Sequence, residues 1–186
     1  MQTLYNKTNI TKKIRSICLG YLSKYNSTEY KFRIYLENKL KNNYSNFSQQ
    51  EHKDIIHNEI NYMKSMGYID DTKYCKIYTK NLIHAGYSLI NIKAKLQLKG
   101  VSYQTIVNVI EDIPVNKQEI EKYSAIQYAI KHNIKPFSTK DTSDVNTIYD
   151  KMQRKGFSTS TISFILSSSK QELIDIADDI QSLIDQ

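Results

Sequence analysis

The sequence predicts an all-α fold: an elongated array of three tandem three-helix repeats followed by a C-terminal amphipathic helix. Three observations carry that prediction. Residues 95–102, Lys-Leu-Gln-Leu-Lys-Gly-Val-Ser, return 56 positions later at 151–158 as Lys-Met-Gln-Arg-Lys-Gly-Phe-Ser. Thr105-Ile106 likewise returns as Thr161-Ile162, and Val109-Ile110 as Ile165-Leu166. A fixed internal period marks an array of small units. Only two prolines and five glycines interrupt 186 residues, which favours long helices over many short strands. Apolar residues also step at i, i+3, i+4 and i+7 along most of the chain, as one face of a helix requires. The expected divisions are a disordered N-terminus at 1–10, repeats at 11–67, 68–114 and 115–169, and an acidic helix at 170–186.

The first repeat opens with Ile14, Ile17, Cys18 and Tyr21 in helical phase from Thr11. A second helix is expected to start near Asn26 or Ser27, with Asn26 and Glu29 as cap and third-position acid. It carries Phe32, Tyr35, Leu36 and Leu40 to about Lys41. Ser48 with Glu51 forms a capping box for a third helix through Ile56, Ile60 and Met63, stopped at Gly67, because a glycine just past the last periodic residue commonly ends a helix. In the second repeat Asp70 or Asp71 caps a helix bearing Tyr74, Cys75, Tyr78 and Leu82, ended near Gly86. Ser88 caps the next, with Leu89, Ile92 and Leu96, ended by Gly100. Ser102 caps another, with Ile106, Val109, Ile110 and Ile113 before Pro114. The third cycle runs Lys117 to His132, Ser143 to Lys155 and Ser158 to about Ser168. Cys18, Cys75 and Ala125, each followed by Tyr three later, mark matching slots of the first helices. Leu36, Ile92 and Ile148 do so for the second helices. A unit of about 50 residues buries too little surface to stand alone, so neighbours must stack. The helix from Lys170 is read as amphipathic, with Leu173, Ile174, Ala177, Ile180, Leu183 and Ile184 as its apolar residues and Glu172, Asp175, Asp178, Asp179 and Asp185 making it acidic. It either caps the last repeat or folds back on the basic body in competition with a polyanion.

Composition narrows the function. The net charge is +7, with +10 over residues 1–110 and −3 over 111–186, which points the first two thirds toward nucleic acid or an acidic partner. A coding bias toward Lys, Asn, Ile and Tyr is a second account of the lysines. No apolar run approaches the roughly 20 residues of a membrane helix, and residues 1–16 have no apolar core of a secretory signal. The two cysteines, Cys18 and Cys75, are too few for a disulfide framework or a metal set. A cytoplasmic protein without membrane contact, metal or cofactor is expected.

No catalytic constellation stands out. His52, His57, His84 and His132 are scattered, and the five-residue spacing of the first two suits no ligand pair on a helix. Asp70-Asp71 reads as a helix cap beside a first-turn acid better than as paired carboxylates. Lys99-Gly100 and Lys155-Gly156 lack the further glycines of a phosphate loop. An array presents an extended surface and rarely builds a deep pocket, so binding is expected and catalysis is not. The candidate partner-binding residues are Arg33, Lys39, Lys41, Lys73, Lys76, Lys80, Lys93, Lys95 and Lys99. Lys73, Lys76 and Lys80 share one helix face, which reads either as a partner-facing stripe or as a solvated one. Fifteen tyrosines suit base stacking, but positions such as Tyr21, Tyr78 and Tyr128 are phased for the core.

The segment Gly67-Tyr68-Ile69-Asp70-Asp71-Thr72-Lys73-Tyr74-Cys75 resembles the Gly-Tyr-Leu-Asp-Asp-x-Arg-Phe-Ala segment of the RecX family, regulators of the bacterial recombinase RecA. Residues 86–101, ending Lys99-Gly100-Val101, are similar to that family's second repeat, and Lys155-Gly156-Phe157-Ser158 to the Arg-Gly-Phe-Ser of the third. The likeness covers about residues 14–168. Lys73 and Cys75 depart from the family's Arg and Ala. The resemblance implies a monomeric, non-enzymatic modulator in DNA repair, recombination and the SOS response, one that binds RecA nucleoprotein filaments and impedes their growth, ATP hydrolysis and strand exchange. Single- or double-stranded DNA is a further expected partner. The alternatives are a nucleic-acid-binding helical-repeat protein independent of RecA, and a helical adaptor for another acidic protein.

Overall fold

The computed structural model describes residues 2–44, 47–138 and 144–185. Among these residues there are ten helices and no strand. They are α1 (Gln2–Leu22), α2 (Glu29–Asn43), α3 (Gln49–Ser65), α4 (Asp71–His84), α5 (Leu89–Leu98), α6 (Tyr103–Glu111), α7 (Lys117–Lys131), α8 (Val145–Arg154), α9 (Thr159–Ser167) and α10 (Lys170–Ile184). The chain divides into two compact units: residues 1–74 with 99–101, and residues 75–98 with 102–186.

Polar caps set most helix starts. Ser48 and Glu51 form the expected capping box on α3, and Ser169 with Glu172 forms another on α10. Ser102 and Ser158 accept from the backbone N–H groups of Thr105 and Thr161, starting α6 and α9. Ser88 accepts from Asn91 N–H at the start of α5, and Asp70 from Lys73 N–H at the start of α4. Two starts differ from expectation. Thr28, not Asn26 or Ser27, caps α2 by accepting from Lys31 N–H. The first helix reaches back to Gln2 rather than beginning at Thr11, because no Gly or Pro in residues 2–10 interrupts its backbone ladder. The start expected at Ser143 lies outside the described residues, and α8 begins at Val145 with Asp144 as a cap that makes no side-chain hydrogen bond. At the other ends, Gly67, Gly86, Gly100 and Gly156 all have positive φ, between 74° and 82°, as helix-ending glycines commonly do.

In the first unit α3 packs against both α1 and α2. The core holds Ile14 and Cys18 from α1, Phe32, Leu36 and Leu40 from α2, Ile56, Ile60 and Met63 from α3, and Ile69. Each such side chain stabilises by about 1.5–3 kcal/mol relative to exposure. One charge is buried with them. Glu59 is 2 % exposed and accepts two hydrogen bonds from Arg15, from Nη2 at 2.8 Å and Nε at 3.1 Å. The same guanidinium lies 3.6 Å from the Tyr62 ring centroid, and its bond to Glu59 raises its pKa further.

In the second unit α7 packs on α9 and α10, α8 on α9, and α5 on α6. Leu173, Ala177, Ile180 and Ile184 of α10 are buried, so the acidic helix covers apolar surface of α7. The slots matched in the sequence are core slots. Cys18, Cys75 and Ala125 are fully buried, and so in essence are Leu36, Ile92 and Ile148.

One joint is made in both units. In the first, the Thr28 hydroxyl donates to the Lys99 carbonyl at 2.6 Å, and Gly100 lies against Tyr30. In the second, the Ser88 hydroxyl donates to the Lys155 carbonyl at 2.6 Å, and Gly156 lies against Ser88 and Ile90.

Candidate partner-binding surface

The nine basic residues singled out in the sequence fall in different settings. Arg33, Lys39, Lys41, Lys73 and Lys99 belong to the first unit, and Lys76, Lys80, Lys93 and Lys95 to the second. Lys39, Lys41 and Lys73 are exposed. Arg33 is tied to its own helix by an ion pair with Glu29 at 2.9 Å. Lys64, absent from the expected set, holds the other oxygen of Glu29 at 2.7 Å. Lys76 pairs with Asp112 at 3.2 Å, and beside them half-buried Lys80 lines an open cleft of about 250 Å³ with Val109, Pro114 and Ile184. Half-buried Lys95 places its ammonium 4.8 Å from the Tyr87 ring centroid, and Lys93 on the same helix is also half-buried. Lys99 contributes its carbonyl to the joint with Thr28. The lysine stripe on α4 is thus partly neutralised by Asp112, and Arg33 is occupied by Glu29.

Glu29 is held below the ordinary carboxylate range, first by the hydrogen bond from Lys64 and against the opposing effect of burial, with Arg33 adding to the depression. Its contribution to stability is complete above the unfolded value, about 4.3, and is lost as pH falls through the lower folded value. Lys64→Ala is therefore expected to destabilise by up to about 1 kcal/mol at neutral pH, as exposed pairs do. The difference from the parent should close in acid below the Glu range. Urea unfolding of both proteins at the two pH values checks it. Asp71, next to this pair, moves the other way: burial raises its pKa although its carboxylate accepts from Glu29 N–H at 2.8 Å.

An open cleft of about 700 Å³ lies in the first unit, between α1 and α2. Its floor is aromatic. Tyr21 and Tyr35 stack with ring centroids 3.9 Å apart and 18° between planes. Tyr21 is backed by Phe32 at 6.0 Å, which is fully buried. Tyr25 is 57 % exposed and leans on Tyr21 at 5.1 Å. Ile17 and Gly20 complete the floor, and Lys24 and Lys39 stand at the rim. The lining contains no carboxylate, and neither lysine has an ion-pair partner among the described residues. Burial raises the Tyr35 phenol, so it stays neutral, and burial pushes the Cys18 thiol up to about 12, far from a reactive thiolate.

Sequence reasoning placed Lys39 in the binding set but passed over Lys24 and Tyr25. A signal for them exists. Residues 1–44 hold nine Lys and Arg against two Asp and Glu, a charge of +7, while residues 45–186 hold 17 of each. Residues 1–44 thus carry a charge equal to the net charge of the chain, and they include both lysines of this cleft.

Among the described residues no cluster of three or more His, Cys, Asp or Glu could hold a metal ion, and no helix is long and apolar enough to cross a membrane. Three of the histidines are engaged locally: His52 with the Tyr44 carbonyl, His57 with Asn61, and His84 with Tyr123. Compared with protein-family models, with characterised proteins and with solved structures, the chain matches none.

Proposed function

We propose that this chain is a non-catalytic regulator that binds RecA nucleoprotein filaments and lowers RecA activity, acting as a cytoplasmic monomer built from three tandem three-helix repeats and a capping helix. The observation that carries the repeat reading is the joint made twice. A hydroxyl at the start of a second helix, Thr28 or Ser88, bonds the carbonyl of Lys99 or Lys155, just ahead of a positive-φ glycine. The acceptors are 56 residues apart and the donors 60. Residue 30 against Gly100 and residue 90 against Gly156 extend the match by a pair. The same geometry recurring, with the acceptors at the sequence period and the donors four residues beyond it, supports a stack of like units.

The RecA partner rests on the resemblance of residues 67–75 and 155–158 to the RecX family. In support, Asp70 caps α4 and Ile69 is buried, so the residues that carry the likeness fold as a helix stop followed by a helix start. An array offers several weak contacts whose tethering raises their effective concentration, a mode suited to a filament of identical protomers. The test is RecA's hydrolysis of ATP on single-stranded DNA, titrated with this protein far below the RecA concentration. Substoichiometric loss of hydrolysis is expected. Undisturbed hydrolysis at equimolar protein would overturn the reading.

A further inference from the structure

We propose that the cleft between α1 and α2 is a binding site for single-stranded nucleic acid, in which an unpaired base stacks on the tyrosine floor and Lys24 and Lys39 meet the flanking phosphates. This goes beyond the RecA reading and does not depend on it.

Four features point to that ligand together. The floor is aromatic and packed: Tyr21 and Tyr35 stack on each other at 3.9 Å with 18° between planes, backed by the fully buried Phe32. The exposed Tyr25 beside them supplies a second aromatic surface at the lip. The cleft is open, and its volume of about 700 Å³ lies within the roughly 300–1,000 Å³ of small-molecule sites. Its rim is purely cationic. Glu37 is the nearest acid in sequence to Lys39, but it is two positions away on α2, and residues two apart on a helix do not share a face.

The field around the site favours an anion as well. α1 and the linker after it hold Lys12, Lys13 and Lys24 without one acid before Glu29, and Arg15 there is matched by Glu59 of α3. Such single-sign charge concentrates polyanions and speeds their arrival. An acidic peptide would use the lysines but leave three tyrosines without a role. A duplex hides the faces of its bases inside the stack, so it too would meet only the lysines. A single strand uses both parts of the site, since every base offers a π-face and stacking on aromatic side chains tolerates any sequence.

The experiment is fluorescence anisotropy with the full chain and no RecA, using a labelled oligothymidylate, an abasic strand of the same length, and a duplex. The intact strand is expected to bind best. Tyr25→Ala should weaken it about tenfold, the loss of one base stack, while leaving the abasic strand unaffected and Tyr25→Phe near the parent. Lys24→Glu with Lys39→Glu should weaken both single strands and flatten their salt dependence. Circular dichroism confirms that each variant is folded, which the exposure of Tyr25 favours. Equal affinity for intact and abasic strands, with Tyr25→Ala silent, would overturn the proposal, and so would tighter binding of the duplex. Displacement of the intact and abasic strands alike by polyglutamate would mark a surface that reads charge only, and would overturn it as well.

Discussion

Arg15→Ala is expected to destabilise the protein by about 3–5 kcal/mol, the cost of leaving a buried carboxylate without its cation. The partner left behind is Glu59, 2 % exposed on α3 between Ile56, Ile60 and Met63. Both carboxylate oxygens depend on the same guanidinium, at 2.8 and 3.1 Å. Without it the Glu59 carboxylate is left in the core with no counter-ion. Against a typical total stability of about 5–15 kcal/mol that is a large fraction, and urea unfolding will register it as a fall in midpoint at unchanged slope. The reverse change, Glu59→Gln, should cost less, because the Arg15 side chain is partly exposed and its charge can turn to solvent. Replacing both residues together by Met should restore most of the loss, since an apolar pair of similar volume often matches a buried ion pair. A cycle in which Arg15→Ala costs no more than an exposed pair would mean that Glu59 finds another partner.

Gly86→Ala is the second large effect, expected near ~3 kcal/mol from two costs that add. Gly86 has φ +79°, and a Cβ there would lie 2.7 Å from the Tyr128 backbone nitrogen and 2.9 Å from its Cα. The obstacle is the main chain of α7, which cannot rotate aside as a side chain would. The costs are roughly 1–2 kcal/mol for an L-residue in the left-handed region, and about 1–3 kcal/mol for overpacking. Gly67 separates them. Its φ is +74°, and a Cβ placed there would meet nothing within 4 Å. Gly67→Ala should therefore show the conformational part alone, about 1 kcal/mol. Thermal or urea unfolding of the two variants side by side measures the difference. Equal losses would place α7 farther from Gly86 than the structure does.

The helical fold was legible because its signals are local. Ser48 with Glu51, Ser102, Ser158 and the terminal glycines each act within one turn, and each sits where the periodicity asked for a stop or start. The start of α2 was not decided by local sequence, since Asn26, Ser27 and Thr28 can all cap. Tertiary structure selects Thr28, whose hydroxyl both accepts from Lys31 N–H and donates to the Lys99 carbonyl. Glu59 was hidden for the same kind of reason. A glutamate amid helical periodicity reads as solvent-facing, and its partner Arg15 is 44 residues away. The cleft was half legible. Tyr21 and Tyr35 were phased for the core and are half-buried there, but the open cleft they line arises only when α1 and α2 meet. Summing charge over 110 residues also blurred an excess that lies mostly in the first 44.

The joint in the second unit has an electrostatic consequence. Ser88 begins α5 and Lys155 ends α8, so their 2.6 Å bond brings the partial positive end of one helix dipole onto the partial negative end of another. Asn91 reinforces it, donating from its amide to the same carbonyl at 2.8 Å. Helix N-termini are ready anion sites when their N–H groups are free, and at this one the Lys155 carbonyl competes for the positive end of α5. Further along α5, Lys93 and Lys95 offer a polyanion ammonium groups on flexible stems rather than fixed backbone donors. Contacts of that kind follow charge and ionic strength but are indifferent to the shape of the anion.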